Sequence, residues 1–395
     1  MRSDIELVGL LRDAASRELE GDILPFWLKL KDPQGGFFGE ADARGVIRPS
    51  AGRGAVLSSR LVWTFSAAYS ALGRREYLDA AGWACDYLLG HFVDAVNGGV
   101  YWSVSADGSP LDTKKQLYAQ GFAIYGLAEY YRASGAEEVL NAAKRLFEVV
   151  ERHFHDGIYG GYREALARDF TPLVDMSLSA HDINADKTMN SHLHLLEAYA
   201  NLYTVWPDET LGVRVRELLD IVCLKIMHAS GHLQLYFDNA WNVLPGGWSY
   251  GHDIETSWLA LECALALGDS GLEESVKVYS RRLAAAGNEG LQPDGSMIYE
   301  LHTDGRADRF REWWVQAEAV VGNIWAWKRL GDPVGLRRAA ATWSFIREHL
   351  LDREKGEWYW GMNDDGTPDL GSPKAGFWKC PYHNSRMCLQ ILKEL

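Results

Sequence analysis

The sequence predicts an all-α protein whose twelve helices form an (α/α)6 toroid, with short β-turn or hairpin segments lining one mouth. A turn of glycine and aromatic residues recurs six times along the 395 residues, at intervals of about 60 to 70 residues. The repeated glycines are Gly36, Gly99, Gly160, Gly231, Gly295 and Gly356. Each repeat must bury its apolar face against its neighbours, so the period indicates a closed or stacked array.

Two segments with apolar residues at helical spacing lie between successive turns, and an opening and a closing helix complete the set. Short breakers such as Gly73 and Gly331-Asp332-Pro333 separate the two helices of a pair. The predicted helices are residues 4–30, 60–72, 76–91, 116–133, 137–154, 189–205, 212–228, 253–268, 271–286, 313–329, 334–350 and 381–395.

The two helices of a pair differ in polarity, which indicates two concentric layers. Residues 121–128 are apolar nearly all round, as an inner helix requires, whereas residues 137–154 carry charges along one face. We therefore expect six inner and six outer helices in a single catalytic domain that spans residues 1–395. An open solenoid is the alternative, but it needs polar capping repeats that the sequence does not show.

Composition limits the possible partners. The net charge of −14 argues against nucleic acid, which requires a basic surface. No apolar run approaches the ~20 residues that span a bilayer, and the five scattered cysteines have no metal-binding spacing. We expect a cytoplasmic protein with no membrane partner. The 16 Trp and 18 Tyr suit sugar binding, because flat rings stack on the CH-rich faces of sugars.

The polar residues that could perform chemistry recur at the starts of the predicted inner helices, which would all lie at one mouth of the barrel. Their helix N-termini also bring positive potential to that mouth. Closure of the barrel is needed to bring them together, because they come from six different repeats. These residues are Arg60, Tyr118, Asn190, His194, His252, Glu255, Glu312, Trp313, Trp314 and His383.

His252 and Glu255 form the strongest candidate for a catalytic pair. Residues three apart on a helix share a face, so the carboxylate would orient the imidazole and raise its basicity, as a catalytic base near neutral pH requires. The alternative is a helical turn with acids placed against the dipole. Pro381 suits the first turn of a helix, which places His383 just inside it. A lone histidine at this position is more often a capping or packing residue, but a place across the barrel from His252 favours a catalytic role for His383.

Two further histidines, His192 and His194, diverge around a helix and cannot both face the cavity. We expect His194 to face inward with Asn190 one turn earlier, and we keep a zinc site from His192, His194 and His252 as a minor alternative. Asp182, next to His181, lies in the long loop of residues 166–187 and either reaches the mouth or forms a solvated turn.

Arg60 begins a segment that is otherwise apolar. A guanidinium at the mouth of the barrel would polarise a carbonyl or hold a hydroxyl group of a substrate. The alternative is an ion pair with a turn carboxylate. The sequence has no phosphate-binding loop and no dinucleotide fingerprint, so no cofactor is expected.

The chain resembles the N-acylglucosamine 2-epimerase superfamily along nearly its whole length, and within it the branch that acts on cellobiose. The blocks at 311–318, Arg-Glu-Trp-Trp-Val-Gln-Ala-Glu, and 378–384, Trp-Lys-Cys-Pro-Tyr-His-Asn, are the specific ones. The other matching blocks are residues 60–66, 189–197 and 251–255. The superfamily fold is an (α/α)6 barrel, in agreement with the repeat.

The resemblance implies inversion at C2 of the reducing-end aldose of cellobiose or lactose through a cis-enediolate, with His252 and His383 as acid and base and Glu255 supporting His252. It also implies that the sugar is held by Arg60, Tyr118, Asn190, His194, Trp314 and Trp378. A monosaccharide mannose/glucose 2-epimerase or a mannose isomerase on the same barrel is the nearest alternative. A glycoside hydrolase and a sugar-binding barrel without activity are more distant ones.

Overall fold

The computed structural model describes residues 3–179 and 182–395, and its helices follow the predicted order. They are α1 (Asp4–Glu18), α2 (Leu24–Lys29), α3 (Ala55–Leu72), α4 (Arg75–Tyr87), α5 (Leu117–Ser134), α6 (Glu137–His153), α7 (Met189–Val205), α8 (Glu209–Asp220), α9 (Tyr250–Leu267), α10 (Ser270–Gly287), α11 (Trp313–Leu330), α12 (Gly335–Phe345) and α13 (Tyr382–Glu394). A π-helical turn, Leu19–Ile23, joins α1 and α2 into one rod, so the described helices correspond to the twelve predicted ones. Helices α4, α8 and α12 also end in π-helical turns.

Among the described residues, short antiparallel strands form two three-stranded and three two-stranded ribbons at the mouth. The strands are β1 (Arg53–Gly54), β2 (Ser103–Val104), β3 (Pro110–Asp112), β4 (Lys115–Gln116), β5 (Ala165–Leu166), β6 (Lys187–Thr188), β7 (Tyr236–Phe237), β8 (Trp248–Ser249), β9 (Glu300–Leu301), β10 (Ala307–Asp308), β11 (Arg311–Glu312) and β12 (Gly361–Met362). They pair as β1-β2-β3, β10-β9-β8, β4-β5, β6-β7 and β11-β12. Strands β1, β4, β6, β8 and β11 lead directly into α3, α5, α7, α9 and α11, so these helices start at one end of the barrel.

The inner helices form a closed ring. Helices α3, α5, α7, α9, α11 and α13 each pack on the next, and α13 returns to α3. Helices α4, α6, α8, α10 and α12 pack outside them, and α1 packs on α13, so the two ends of the chain make the sixth helix pair. The (α/α)6 prediction is confirmed, and the open solenoid is wrong because the ring closes.

One predicted boundary is wrong in a way that matters for the site. Helix α3 begins at Ala55 and not near Arg60, because Gly54 is extended and serves as its N-cap. Arg60 therefore lies in the second turn of the helix, deeper in the barrel than its predicted place at the mouth. None of the helices in the described residues is long and apolar enough to cross a membrane.

The repeated glycine turns have a backbone cause. All six repeated glycines have positive φ, from 62° at Gly36 to 101° at Gly231, where a side chain would be strained. Four of the turns are also connected to the mouth by buried ion pairs, which were not predicted from the sequence. These pairs are Arg53–Asp32, Lys115–Asp94, Lys187–Asp156 and Lys374–Asp352.

Removing Asp156 tests whether these pairs hold the turns. In Asp156→Ala, the fully buried Lys187 ammonium, 2.8 Å from Asp156 Oδ2, would lose its only carboxylate partner among the described residues and keep the carbonyl oxygens of Gly160 and Asn239. The expected loss in the free energy of unfolding is about 3–5 kcal/mol, because an unpaired buried charge is costly. Urea denaturation followed by circular dichroism measures it. The control Asp79→Ala removes an exposed partner of Arg75, and its expected cost is below about 0.5 kcal/mol. Equal costs in the two variants would contradict the structural role of the pair.

Candidate active site

Six side chains from the six inner helices meet at the mouth end of the barrel. Arg60 Nη2 donates to Tyr118 Oη over 2.9 Å, and the Tyr118 ring contacts the His194 ring edge-on at 5.2 Å. On the other side, the Trp314 ring contacts the imidazoles of His252 and His383, which lie in α9 and α13. Closure of the ring therefore gathers residues that are up to 323 positions apart in the sequence.

The two imidazoles of His252 and His383 share one aromatic surface. Their ring centroids lie 4.7 Å and 5.6 Å from that of Trp314. The indole is itself fixed, because Trp314 Nε1 donates to Glu312 Oε2 over 2.6 Å. The two sequence-predicted acid/base candidates are thus brought together across one indole.

His383 is held by a carboxylate. Its Nδ1 lies 2.7 Å from Glu318 Oε1, so Nδ1 carries the proton and donates it to the carboxylate, which leaves the Nε2 lone pair free. Burial lowers the pKa of His383 well below its usual value, and the guanidinium groups of Arg60 and Arg386 lower it further. The side chain is therefore a neutral base in a fixed orientation at neutral pH.

His252 is held by a hydroxyl group instead. Its Nδ1 lies 2.7 Å from Ser249 Oγ, which can donate or accept, so either tautomer of the ring is available. The ring is partly exposed at the mouth, yet its environment lowers the pKa to about 3, chiefly by desolvation and then by repulsion from His194. His252 is thus neutral at neutral pH and can act as a donor or an acceptor.

The expected pairing of Glu255 with His252 is wrong. Among the described residues, Glu255 Oε1 accepts from Arg386 Nη2 over 2.6 Å and lies 3.9 Å from His383 Nδ1. Although Glu255 follows His252 on the same side of α9, its carboxylate extends one turn deeper and reaches α13. Burial, followed by repulsion from Glu318, raises the pKa of Glu255 to about 8, so this carboxyl group is largely protonated near neutral pH.

A buried polar layer lies directly beneath the imidazoles, centred on Arg386. Its guanidinium donates to Glu197 Oε1 over 2.5 Å, to Glu255 Oε1 over 2.6 Å and to Glu318 Oε1 over 2.7 Å. These three carboxylates come from α7, α9 and α11, so Arg386 ties four inner helices together. The layer also orients His194, whose Nδ1 lies 3.0 Å from Glu197 Oε2.

Glu197 stays ionised in this layer. Burial by itself would raise its pKa, but the Arg386 cation and the hydrogen bond with His194 outweigh burial and lower the pKa to about 2. Arg386, Glu197 and Glu318 were not predicted as site residues. Their signal was present, since each is a charged residue on an inner helix, three or four positions after a predicted site residue.

Arg60 is a buried cation whose described hydrogen-bond partners are neutral. Its guanidinium lies over the Phe122 and Tyr382 rings at 4.1 Å and 4.6 Å, and its other polar contacts are Tyr118 Oη and Cys380 Sγ. Arg60 Nε has no hydrogen-bond partner among the described residues. The alternative of an ion pair with a turn carboxylate is therefore wrong, and the cation is free to bind a ligand oxygen.

The other predicted binding residues surround this centre. Asn190 Oδ1 is buried and unpartnered within the described chain, one turn before His194 on α7. The Trp378 ring contacts the Tyr118 ring at 5.9 Å. Asp182 accepts from Tyr236 Oη over 2.9 Å and from Ser179 Oγ over 2.6 Å, which fixes this part of the long loop beside the mouth. His181 lies outside the described residues.

The minor alternative of a zinc site is wrong. Both nitrogens of His192 are engaged by backbone groups, Thr188 O at 2.7 Å and Tyr162 N at 3.0 Å, on the side away from His194. Another group, Glu255, Glu318 and His383, has ligand atoms within 4.8 Å of one another. Arg386 Nη2 already bridges those two carboxylates, so a metal ion there would compete with a guanidinium and be repelled by its charge.

Comparisons with known proteins agree with this architecture. The family model of N-acylglucosamine 2-epimerase (GlcNAc 2-epimerase) matches residues 36–385. Cellobiose 2-epimerase of Bacteroides fragilis is 47% identical over 98% of this chain and 99% of its own length. The enzyme of the same name from Ruminococcus albus is 40% identical over 95% of this chain and 97% of its own.

Solved structures give the same result. The structure of cellobiose 2-epimerase from Bacillus thermoamylovorans superposes with a TM-score of 0.93 at 38% identity and covers 98% of this chain and 100% of its own. The structure of a D-mannose isomerase shares the fold, with a TM-score of 0.86 at 22% identity. The match covers 97% of this chain and 98% of that chain. With most of its length matched, the chain belongs to the N-acylglucosamine 2-epimerase family and is a carbohydrate epimerase or isomerase.

Proposed function

We propose that this enzyme inverts C2 of the reducing-end aldose of cellobiose or lactose, giving the glucosyl- or galactosyl-mannose product. The observation that carries the proposal is the pair of neutral, separately oriented imidazoles of His252 and His383 across Trp314. Inversion at carbon needs one group to remove a proton and a second group to return one from the opposite face. The names and high identity of the relatives support the same substrate class.

The proton transfers follow from the two orientations. His383, with its Nδ1 bound to Glu318, presents Nε2 as a base to the C2 proton of the open-chain sugar. The electron pair of the C2–H bond then forms a C1–C2 double bond, and the C1 carbonyl becomes an enediolate oxygen. His252, neutral in the free enzyme and partly exposed at the mouth, takes up a proton from solvent once the enediolate charge develops beside it and returns this proton to the other face of C2, while His383 releases the removed proton to solvent. The two imidazoles exchange roles in the reverse direction, and each positioned group contributes roughly 10²–10⁴-fold in rate.

The enediolate charge would be stabilised by Arg60, a buried cation with a free Nε. His194 donates from Nδ1 to the Glu197 carboxylate, so its Nε2 would accept a hydrogen bond from a sugar hydroxyl group. Donors that are already in place before the charge develops cost no reorganisation during the reaction. Asn190 and Asp182 would hold hydroxyl groups, and Trp314 and Trp378 would stack on the sugar rings.

The geometry favours an epimerase over a glycoside hydrolase. Hydrolysis needs two carboxyl groups on either side of a glycosidic bond. The buried glutamates Glu197, Glu255 and Glu318 all bind the same Arg386 guanidinium beneath the imidazoles, so they are turned away from a bound sugar.

Incubation with cellobiose in deuterated buffer tests the reaction, with C2 followed by NMR. The expected result is a glucosyl-mannose product that carries deuterium at C2, because the proton that His252 returns comes from solvent and is not the one that His383 removed. Lactose, glucose and mannose run in parallel define the substrate length. A ketose product would indicate an isomerase and release of glucose a hydrolase, while unchanged sugars would leave only binding; each result contradicts the proposal.

Replacement of either imidazole tests the two-histidine mechanism. His252→Ala and His383→Ala should each lower kcat by roughly 10²–10⁴-fold, because each removes one of the two proton-transfer groups. Circular dichroism and the thermal midpoint check that the fold is retained. His155→Ala is a matched control, since this imidazole pairs with Glu217 outside the barrel and its loss should leave kcat unchanged. Near-normal activity in either cavity variant would show that its role is wrongly assigned.

Replacement of the buried guanidinium tests charge stabilisation. Arg60→Met keeps an unbranched apolar side chain and removes the guanidinium that lies over Phe122, so kcat should fall by about 10²–10³-fold with a smaller change in KM. Steady-state kinetics with cellobiose measures both constants. Arg48→Met, at an exposed ion pair with Glu40, is the control. An Arg60→Met effect confined to KM would show that the cation binds the ground state only.

A further inference from the structure

The sixth glycine turn differs from the others in a way that the proposed mechanism does not use. Glu357 has a φ of 62°, a left-handed backbone conformation that favours glycine. Its carbonyl accepts from Asp352 N, just as Gly99 accepts from Asp94 and Gly161 from Asp156 in equivalent turns. A glutamate therefore stands where the second and third turns have glycine, and something must hold it in that conformation.

The Glu357 side chain is fully buried and bound on every side. Its Oε1 accepts from Lys379 Nζ over 2.9 Å and from Asn384 Nδ2 over 2.7 Å. Its Oε2 accepts from Trp27 Nε1 over 2.5 Å. Its backbone N–H donates to Asp22 Oδ1 over 3.1 Å. We call the set of Glu357, Trp27, Lys379 and Asn384 the Glu357 clasp.

The clasp connects the first helical rod, the sixth turn and the start of α13. Trp27 lies in α2, Lys379 lies in the segment before α13, and Asn384 follows His383 directly. Lys379 is also fully buried, and Glu357 is its ion-pair partner. In the sequence, His383 therefore lies between Lys379 and Asn384, which both donate to the Glu357 carboxylate.

Helix α13 needs such an anchor more than the other inner helices do. In the described part of the chain, each of the other five inner helices follows directly after a β-strand at the mouth, whereas α13 does not. A carboxylate near a helix N-terminus is also favourable for the helix dipole.

We infer that Glu357 is a positioning residue, whose clasp on Lys379 and Asn384 fixes the start of α13 and so places His383 against the substrate carbon. The inference rests on the proposed function for its kinetic consequence. Its structural consequence, the placement of the His383 imidazole, does not depend on which sugar reacts.

Two buried lysine–carboxylate pairs in the same turn provide a matched comparison. Glu357→Gln breaks the pair with Lys379, and Asp352→Asn breaks the pair with Lys374, which holds the turn but not the start of α13. Glu357→Gln should lower kcat on cellobiose by about tenfold to hundredfold with little change in KM, as a displaced catalytic group does. Asp352→Asn should leave kcat within about twofold when assayed well below its thermal midpoint.

A milder variant covers the case in which Glu357→Gln fails to fold. Asn384→Ala removes the hydrogen bond from the uncharged Asn384 amide to the Glu357 carboxylate and leaves the pair with Lys379 intact. This variant should lower kcat in the same way. In the His383→Ala background it should have no further effect on the residual rate, because residues that act through one group are not additive. Additive effects in this double-mutant cycle would overturn the inference.

An NMR measurement that does not depend on catalysis tests the role of Glu357 separately from the proposed epimerase reaction. The imidazole ¹⁵N resonances of His383, assigned by their loss in His383→Ala, should shift in Glu357→Gln and Asn384→Ala and stay in place in Asp352→Asn. Unchanged resonances in the two clasp variants, or equal shifts in all three, would overturn the positioning role. A wild-type protein that leaves cellobiose unchanged would contradict the proposed function, while the resonances still decide the role of Glu357.

Discussion

The ion cluster around Arg386 is the constraint on which the site depends. One fully buried guanidinium on α13 satisfies Glu197, Glu255 and Glu318, which come from three other inner helices. Charges this deep in a barrel are stable only when they are paired and hydrogen-bonded. The rotation and depth of four helices are therefore linked at the level of this guanidinium. The imidazoles one turn nearer the mouth take their positions from this layer.

The same cluster sets the protonation of the groups above it. His383 donates to Glu318 and His194 pairs with Glu197, so carboxylates orient the imidazoles. The nearby guanidinium and burial nevertheless disfavour a second positive charge, which lowers the pKa of both histidines. Three acids around one guanidinium cannot all ionise readily, and burial raises the pKa values of Glu318 and of Glu255, the latter to about 8. A cavity with neutral imidazoles and one buried free cation, Arg60, suits a neutral substrate that becomes an oxyanion.

Most of the fold could be predicted from the sequence, because it depends on patterns that are local in the sequence. Glycines in left-handed turns and helices with different polarity recur in each repeat, and each is recognisable within a few residues. Boundaries were less certain, and the start of α3 at Ala55 moved Arg60 one turn deeper. For the site, the inward histidines were predicted as candidates, but the pairing of Glu255 was wrong. Glu255 is close to His252 in the sequence, because both lie on α9. It comes close to Arg386 only when the ring of inner helices closes.

The sequence by itself determined the repeat, the two layers of helices and the residue types that reach the mouth, since periodicity and backbone conformation are local properties. The tertiary structure alone decided which charges meet. Arg386 finds its glutamates 68 to 189 positions away, and Glu357 finds Trp27 at a distance of 330 positions. Such pairings have no local signal, because an inner helix can present a charge to any of its neighbours until ring closure fixes their rotation. Long-range geometry therefore set which group orients each imidazole.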